Sequence, residues 1–563
     1  MTVIATAGHV DHGKSSLVRA ICGTDPDRLA EEKRRGMTIE LGFAHRVLDD
    51  GTTLSFVDVP GHADFVRTMV AGAGAADVAL LVIDAGEGWM PQTEEHASII
   101  DLLGIRRGVV AVTKSDRVHG ATLASVTDDA RARLARTGTE WLAFVHVSVI
   151  DGRGIDELVD ELRAAVVVAD ATDTATGRAR LFVDRVFTLR GQGTIVTGTV
   201  DSGTVSPGDS LHVCRTGDEV RVRTVQTHGA EVAAGRERTR CALNIPAAGT
   251  GSLRRGDALV TPGAWHRTTV FDARIRVLPS SFPLSRRDGF TIHVGTSDQA
   301  ASVRVIGADE IPAGAGGLVR IRFGVPLPLG PGDMFLLRDP GTATTVGGGT
   351  VLDVDPRERL SRARPDGTVQ AQLCGRGWLD IDEARRLTGA MLVPVAGRWF
   401  ATDDFVAESR AELEQSAADG TLDVVSLAPA ERALLASLGI SVEHGRAVHG
   451  DDSLAHHPIS VSTRDAGITP PSSTSLDRDT VRRLVAAGIL FEHDGFAFHR
   501  DTLHALRDDL SRMWSEHPGG FTVSDLRSHL GITRKHAVPL AECLDRSGLT
   551  RRRGDVRMPG PRF

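Results

Sequence analysis

The sequence feature that most constrains the fold of this 563-residue chain is the octapeptide Gly-His-Val-Asp-His-Gly-Lys-Ser at positions 8–15. A short apolar run precedes it, as expected of a buried strand, and a helical pattern of apolar residues follows it. Glycines let backbone N–H groups converge on phosphate oxygens, and the helix N-terminus behind them favours an anion. The pattern therefore predicts a phosphate-binding loop, in which Lys14 contacts the outer phosphates and the Ser15 hydroxyl ligates magnesium. The residues assigned to the nucleotide here are Gly8, His9, Val10, Asp11, His12, Gly13, Lys14, Ser15 and Ser16.

Four further polar segments follow apolar runs within residues 1–170. They are the charged segment 28–39 and the segments 58–62, 113–116 and 148–149. Alternating strands and helices, with polar loops at the strand carboxyl ends, predict a doubly wound parallel α/β sheet. Asp58 stands at the end of one such strand, where its carboxylate can hold magnesium through water. The backbone N–H of Gly61 can reach a terminal phosphate.

These five segments, in this order, resemble those of the translational GTPases. The resemblance implies that Asp116 accepts the two guanine N–H donors and that Lys114 packs over the base. It also implies that Ser148 and the backbone of Val149 complete the nucleotide site. Thr113 stands where the family has asparagine. We expect this exchange to remove amide contacts to the base and to the loop, and so to weaken nucleotide binding or speed its release.

The same resemblance supplies the chemistry, in which the protein positions groups and neutralises charge. Ser15 and Thr38 are expected to ligate Mg²⁺, with Asp58 acting through water, and the nucleotide is GTP or GDP. His62 takes the place of a water-orienting residue, which makes it the expected catalytic group. Val10 and Met37 match an apolar gate that holds this histidine away until the ribosome is engaged. The alternative is that His62 is an ordinary surface histidine. With the gate in place, GTP hydrolysis without the ribosome should be slow.

Residues 166–180 are rich in Ala, Thr, Asp and Gly and mark a linker. Beyond it, short β-branched runs alternate with turn sequences such as Ser-Pro-Gly-Asp at 206–209. Regularly spaced short strands predict a β-barrel over residues 178–264 and a second β-barrel over 268–355.

A GTPase domain followed by two barrels resembles the elongation factor Tu family, and within it the selenocysteine-specific elongation factors. The runs that carry this likeness are 37–42, 184–188, 191–194 and 240–245. The resemblance implies that Asp184, Arg185 and Arg240 recognise the selenocysteinyl group. A selenol is largely ionised at neutral pH whereas a serine hydroxyl is not, so a nearby guanidinium discriminates by charge. The alternative is an exposed cross-strand ion pair.

Helical periodicity replaces the β-pattern beyond residue 355, and short helices followed by β-wings recur about every fifty residues. This recurrence predicts tandem winged helices over 358–506 and a last one over 507–563. The last unit should fold on its own core of Leu526, Leu530, Leu540 and Leu544. Its positive cluster is formed by Arg534, Lys535, Arg551, Arg552 and Arg553. The resemblance implies that this cluster binds an mRNA hairpin, and the alternative is a solvated chain end.

Taken together, the resemblance implies a GTP-dependent factor that carries selenocysteinyl-tRNA to the ribosome at UGA codons specified by an mRNA hairpin, the SECIS element. The sequence has no apolar run of about 18 residues, so we expect no membrane contact. Its five cysteines are scattered without a C-x-x-C pair, which indicates reduced thiols in a cytoplasmic protein, and we expect a monomer. A general aminoacyl- or initiator-tRNA carrier is an alternative that leaves the winged helices unexplained. A non-enzymatic RNA-binding regulator with a GTPase-like fold is another alternative, and measurable turnover of guanine nucleotide would exclude it.

Overall fold

The computed structural model describes residues 2–26, 38, 40–60, 68–70, 74, 76–169, 177–189, 193–246, 253–418, 422–438, 440–443, 446–449 and 457–563. Met37, Gly61 and His62 lie outside the described residues. The chain divides into two compact units, Met1–Val393 and Pro394–Phe563, and each is described by itself. Among the described helices, none is both long and apolar enough to cross a membrane.

A six-stranded sheet of order β2-β3-β1-β4-β5-β6 forms the first domain. Its neighbouring strands are parallel, except that β2 runs antiparallel to β3. Its strands are β1 Thr2–Ala7, β2 Gly42–Val47, β3 Thr53–Asp58, β4 Val78–Asp84, β5 Arg107–Thr113 and β6 Glu140–His146; its helices are α1 Lys14–Cys22, α2 Pro91–Leu102, α3 Gly120–Leu134 and α4 Ile155–Ala169. The parallel strands bring the phosphate-binding loop, Asp58 and Thr113 to one edge of the sheet. The predicted α/β fold is confirmed.

Helices cover both faces of this sheet, which explains its continuous apolar strands. All seven residues of β4 are buried. Leu80 and Val82 pack into the core cluster on one face, together with Leu17 of α1. Leu81 and Ile83 pack into the cluster on the other face. Because β4 is packed on both faces, its orientation in the sheet is fixed. The loops at the carboxyl ends of β4 and its parallel neighbours are therefore held at one edge of the sheet.

An eight-stranded antiparallel sheet of order β11-β10-β16-β7-β8-β15-β12-β13 follows. The strands of this region are β7 Arg180–Leu189, β8 Gly193–Ser202, β9 Thr204–Val205, β10 Ser210–Val213, β11 Glu219–Arg221, β12 Thr224–Thr227, β13 Ala230–Val232, β14 Gly235–Arg236, β15 Thr239–Ile245 and β16 Ala258–Val260. Apolar residues from both halves of the sheet, such as Leu211 and Leu243, belong to one core cluster. The sheet therefore curls around a single core, as predicted for the first barrel.

The next strands form a closed six-stranded barrel of order β17-β22-β20-β19-β23-β24. The strands of this region are β17 Arg267–Val277, β18 Leu284–Ser285, β19 Arg287–Val294, β20 Ser297–Ile306, β21 Glu310–Ile311, β22 Gly316–Pro328, β23 Met334–Asp339 and β24 Thr344–Asp353. Its interior contains the ring of Phe271, 5.4 Å from that of Phe335. After the barrel come α5 Val369–Leu373, β25 Leu379–Asp380 and α6 Ile381–Thr388.

The second unit alternates helices with two-stranded wings. Its elements are β26 Trp399–Phe400, α7 Asp403–Ala418, α8 Pro429–Ser437, β27 Ile440–Glu443, β28 Arg446–His449, α9 Pro458–Asp465, α10 Arg478–Ala486, β29 Leu490–His493, β30 Phe496–His499, α11 Arg500–Ala505, α12 Arg507–Glu516, α13 Val523–Leu530, α14 Arg534–Ser547, β31 Thr550–Arg553 and β32 Val556–Pro559. The pairs β27–β28, β29–β30 and β31–β32 form three wings. This recurrence confirms the predicted winged-helix layout.

The expected core of the last winged helix is present, with Leu526, Leu540 and Leu544 buried and Leu530 packed against them, but it extends into the preceding winged helix. Phe496 and Phe498 of the preceding wing belong to the same apolar cluster as Leu540 of α14. The Cys543 thiol also donates to the Phe491 carbonyl at 3.3 Å. Leu530, expected in the core, is only half-buried. Because the last two winged helices share this apolar cluster, the last fifty residues are stabilised by the winged helix before them.

Candidate functional site

The phosphate-binding loop folds around its own lysine. Lys14 Nζ donates to the carbonyl oxygens of Gly8 at 3.1 Å and His9 at 2.7 Å. Gly8 has φ of 126°, and a Cβ there would lie 2.2 Å from the Val82 carbonyl oxygen. Only glycine satisfies both the backbone angle and the space, so the loop passes directly over β4. Asp11 and Ser16 are exposed, whereas His12 is fully buried.

Two side chains of α2 support this loop, and sequence reasoning did not assign them to the site. The Gly8 N–H donates to His96 Nδ1 at 2.9 Å, and the Val10 N–H donates to Gln92 Oε1 at 3.1 Å. Burial lowers the pKa of His96 to about 3, which keeps the ring neutral and able to accept this bond. Gln92 and His96 lie four residues apart and so face the same way on the helix. That spacing of polar residues just after Pro91 is the signal in the sequence.

The residues expected to hold magnesium fit that ion. Ser15 Oγ lies 2.8 Å from Thr38 Oγ1. Ligand bonds of 2.0–2.1 Å at right angles place neighbouring oxygens about 3 Å apart in an octahedral Mg²⁺ site. Asp58 is buried, and its Oδ1 accepts from the Thr6 hydroxyl at 2.7 Å. Thr6 in turn accepts from the Val59 N–H at 3.1 Å, so the carboxylate is fixed at the end of β3.

The loop after β5 bonds directly to the phosphate-binding loop. The Thr113 hydroxyl donates to the His12 carbonyl at 2.7 Å, with Ile83 O at 3.2 Å. Residue 113 therefore keeps a contact with the loop through its hydroxyl, and the expected loss of amide contacts to the base stays a prediction. Lys114 Nζ donates to the Asp11 carbonyl at 2.8 Å and pairs with Asp84 at 2.5 Å.

Asp84 was not assigned from the sequence either. Burial alone would raise the pKa of its carboxyl, but the bonds from Lys114 and from the Gly86 N–H outweigh burial and hold that pKa below its usual range. The carboxylate stays ionised and keeps Lys114 in place. The phosphate-binding loop and the loop after β5 are thus joined through charged and backbone groups.

Three further residues that are expected to bind the nucleotide lie in the loops after β5 and β6. Asp116 is exposed on a short 3₁₀ helix, Ser115–Arg117. Ser148 is fully buried; its N–H donates to the Arg153 carbonyl at 3.0 Å, and its Oγ accepts from the Ile150 N–H at 3.3 Å. Val149 beside it is exposed. Asp116 is accessible to a ligand, and Ser148 shapes the turn that carries Val149.

The first barrel brings Asp184 and Arg240 together. Arg240 Nε and Nη2 donate to the two Asp184 oxygens, each at 2.9 Å, and the Thr197 hydroxyl donates to Asp184 Oδ1 at 2.5 Å. The β7–β8 register shifts between Val183 and Arg185, so Asp184 is the extra residue of a β-bulge. A bulge redirects side chains that would otherwise alternate across the sheet, which lets Asp184 and Arg185 act at the same end of the barrel.

Arg185, unlike Asp184, has its polar contacts with the α/β domain. Its Nη2 donates to the Leu41 carbonyl at 2.8 Å and lies 2.9 Å from a Glu40 carboxylate oxygen. The Phe43 ring lies between the two arginines, with its centroid 3.6 Å from Arg240 Cζ and 5.8 Å from Arg185 Cζ. Asp184, Arg185 and Arg240 thus lie around one aromatic face, which sequence reasoning did not include, and their role in recognition stays a prediction.

A cleft of about 380 Å³ opens beside Arg240, between the α/β sheet and the first barrel. His45 and His228 stack across it with ring centroids 4.0 Å apart, and the Ser55 hydroxyl lies 3.3 Å from His228 Nε2. Burial lowers the pKa of His228, so the ring is neutral near pH 7. His228 has φ of 54°, a left-handed conformation that is costly for a residue with a Cβ. A His-Gly pair between two short β-runs is its signal in the sequence.

The basic residues of the last winged helix lie at two places on one small unit. Arg551 and Arg553 are exposed on β31 and face the same way, whereas Arg552 contacts the Gly554 carbonyl at 2.9 Å. Arg534 and Lys535 open α14. Cations are unfavourable at a helix N-terminus, so these two side chains do not stabilise the helix there. Lys535 Nζ lies 5.3 Å from the Phe496 ring centroid.

Four family models match the chain. The elongation factor Tu GTP binding domain matches residues 1–167, and elongation factor Tu domain 2 matches 193–260. The β-barrel domain of the selenocysteine-specific elongation factor matches 272–358, and the winged helix of elongation factor SelB matches 512–558.

The selenocysteine-specific elongation factor of Escherichia coli K12 is 30% identical, with 98% of each chain aligned. That of Desulfomicrobium baculatum is 39% identical over 69% of this chain, and the alignment spans 63% of that relative's length. A crystal structure of a bacterial selenocysteine-specific elongation factor, EF-Sec, has the same fold, with a TM-score of 0.65 at 24% identity over 99% of each chain. The chain therefore belongs to the selenocysteine-specific elongation factors, and its first domain is a translational GTPase.

Proposed function

We propose that this protein delivers selenocysteinyl-tRNA to the ribosome, at UGA codons specified by an mRNA hairpin, and hydrolyses GTP there. The observation that carries the proposal is the Arg240–Asp184 pair beside the cleft. In this proposal, residues 1–170 form the GTPase domain and residues 178–264 the barrel that binds the aminoacyl end of the tRNA. Residues 268–355 form the second barrel, residues 358–506 the first winged helices and residues 507–563 the last one. The protein acts as a cytoplasmic monomer.

In the nucleotide site, Ser15 and Thr38 would ligate Mg²⁺, with Asp58 holding it through water. The ion neutralises charge on the phosphates. Lys14 and the Gly61 N–H bind the terminal phosphate. The 2.8 Å spacing of the Ser15 and Thr38 hydroxyls supports this arrangement.

His62 orients the attacking water, and Val10 and Met37 form the gate that controls its access. The bond from the Val10 N–H to Gln92 supports the gate assignment, because it holds one side of that gate on α2.

Guanine is selected by Asp116, whose carboxylate accepts from two N–H donors of the base. Adenine lacks this pair of donors, so it loses both bonds. The exposure of Asp116 on its short helix supports the assignment. The ion pair with Asp84 fixes Lys114 in this loop, which supports its proposed packing over the base.

The aminoacyl pocket distinguishes selenocysteine from serine by charge. A guanidinium has five N–H donors, and Arg240 uses two of them on Asp184. The others remain for an anionic side chain, and a charge-assisted hydrogen bond favours a selenolate over a neutral hydroxyl. Asp184 keeps the arginine rigid, so little rotamer entropy is lost when the ligand binds.

The last winged helix binds the mRNA hairpin through Arg534, Lys535, Arg551, Arg552 and Arg553. Phosphate contacts supply most of the affinity of such a cluster, and exposed guanidinium groups are suited to them. In the described part of the chain, Arg534, Arg551 and Arg553 are exposed and show no ion pair, which supports this role.

Identifying the bound tRNA tests the proposal. The full chain with a non-hydrolysable GTP analogue is incubated with total aminoacylated tRNA from a cell that uses selenocysteine, and the retained tRNA is sequenced. We expect enrichment of the selenocysteine tRNA, and loss of that enrichment with GDP. Retention of elongator or initiator tRNAs in proportion to their abundance would show that this is a general carrier.

A further inference from the structure

The two arginines of the aminoacyl pocket take their partners from different domains. Arg240 pairs with Asp184, a residue of its own barrel. Arg185 instead pairs with Glu40 and donates to the Leu41 carbonyl, and both of these belong to the α/β domain. The carboxylate partner of Arg240 thus comes from the barrel, although its guanidinium also lies over the Phe43 ring of the α/β domain. Both hydrogen-bonding partners of Arg185 come from one segment of the α/β domain.

That segment begins at the magnesium site. Thr38 is buried, with its hydroxyl 2.8 Å from that of Ser15. Glu40 follows only two residues later, and two residues span at most about 7 Å of extended chain. The position of the Glu40 carboxylate therefore depends on whether Thr38 stands beside Ser15.

We propose that Glu40 is a positioning residue, which holds the Arg185 guanidinium in the aminoacyl pocket while Thr38 occupies the magnesium site. Glu40 thereby couples the bound nucleotide to recognition of the aminoacyl group. The inference rests on the proposed function, since it concerns the regulation of the same pocket.

The physical reason is the conformational freedom of arginine. A free arginine side chain loses rotamer entropy when it is fixed by a ligand. Glu40 and the Leu41 carbonyl fix it before the ligand arrives, and the pre-organised group binds more tightly. When the segment withdraws, Arg185 loses both partners and the pocket keeps only Arg240 in place.

The opposite role is physically possible, because Glu40 is also an anion beside an anion-binding group. As a competitor, Glu40 would weaken binding, and its removal would strengthen it. The sign of the effect distinguishes the two roles.

The test measures the dissociation constants of selenocysteinyl-tRNA and of the same tRNA carrying serine, for the full chain and its Glu40→Ala variant. Each is measured with GDP and with a non-hydrolysable GTP analogue. We expect Glu40→Ala to weaken selenocysteinyl-tRNA binding by roughly three- to fivefold with the analogue, because a partly exposed charge contact is at stake. Seryl-tRNA binding, and both affinities with GDP, should change by less than about twofold.

Two further variants keep the result interpretable. Glu40→Gln retains an acceptor and should lose less affinity than Glu40→Ala. In an Arg185→Met background, Glu40→Ala should have no further effect, because coupled residues are not additive. Asp101→Asn is the matched control: Asp101 pairs with Arg276 between the α/β domain and the second barrel, away from the pocket, and should behave as wild type.

An equal loss for both tRNAs, or in both nucleotide states, would reduce Glu40 to a structural contact and overturn the inference. A gain in affinity would identify Glu40 as a competitor and overturn it as well. If wild-type protein with the GTP analogue did not distinguish selenocysteinyl- from seryl-tRNA, the proposed function itself would fail.

Discussion

The nucleotide loop and the aminoacyl cleft are built in different ways. The loop is held mostly through backbone atoms: the Gly8 and Val10 N–H groups and the carbonyls of His9, Asp11 and His12 all have side-chain partners. The cleft is held through charged side chains from two domains, among them the Arg240–Asp184 and Arg185–Glu40 pairs. A site that uses backbone atoms depends on chain geometry. A site that uses paired charges depends on individual side chains.

This difference predicts where each site is sensitive to substitution. In the loop, the supporting bonds use backbone atoms, so changes at its exposed side chains that preserve backbone shape should be tolerated. In the cleft, removal of one charge leaves its partner unpaired and changes which ligand is preferred. The predictions below test the comparison in decreasing order of expected effect.

The largest effect is expected at His62, where a side chain rather than the backbone carries the chemistry. His62→Ala should cut ribosome-stimulated GTP hydrolysis by a factor of roughly 10³ or more, since a water-positioning group is lost. GTP and tRNA binding should be unchanged. Single-turnover hydrolysis with programmed ribosomes measures this, and an unchanged stimulated rate would reject the catalytic role.

Gly8 tests the dependence of the loop on backbone geometry. An alanine Cβ at Gly8 would lie 2.2 Å from the Val82 carbonyl oxygen, so the loop must shift. Gly8→Ala should lower the free energy of unfolding by about 1–3 kcal/mol more than Gly51→Ala does, because overpacking a site typically costs that much. Gly51 is the matched control because its φ is also left-handed but nothing lies within 4 Å of the added atom.

Nucleotide affinity should fall with stability in Gly8→Ala and not in Gly51→Ala. Urea unfolding and a nucleotide titration of the full chain measure the two quantities. Equal behaviour of the two variants would show that backbone strain, and not contact with β4, is what matters at this loop.

The buried histidine beside the loop predicts a pH dependence. Burial depresses the His96 pKa to about 3, below its ordinary value of about 6.5. The unfolded chain therefore binds a proton that the folded chain excludes, and stability falls as pH drops from about 6.5 toward 3. The expected slope is about 1.4 kcal/mol per pH unit for this group.

Hydrogen exchange of β4 amides in the full chain, at pH 7 and pH 5, measures this loss of opening free energy. His12, also buried with its pKa lowered to about 4, adds to the slope. His96→Gln should flatten the dependence without removing it. A wild-type opening free energy that is the same at both pH values would contradict the buried, neutral placement of His96.

The smallest effect is expected at the last wing. Arg551→Ala should reduce the slope of log affinity for the mRNA hairpin against log salt by about one unit, if the side chain contacts one phosphate. Arg482→Ala, an exposed arginine on α10, is the control and should leave the slope unchanged. A change of sequence preference at constant slope would instead show that Arg551 contacts a base.

Sequence reasoning was sufficient where chemistry follows from consecutive residues. The phosphate loop, the strand ending at Asp58 and the winged-helix recurrence are local patterns, and the structure contains them. The bulge at Asp184 could not be read in this way, because β7 shows it only when paired with β8. The bond from Thr113 to His12 was also missed, since it spans 101 positions of the sequence. The shared core of the last two winged units depends likewise on contacts between distant residues.

The measurement that tests the account most directly is the affinity of Arg240→Met for selenocysteinyl-tRNA and for the same tRNA carrying serine, with a GTP analogue. Arg221→Met, an exposed arginine on the same barrel, is the control. A charge-assisted contact contributes about 1.5–3 kcal/mol, so selenocysteinyl-tRNA should lose tenfold or more and seryl-tRNA little. An equal loss for both ligands would place Arg240 on the tRNA body and contradict recognition of the aminoacyl group by charge.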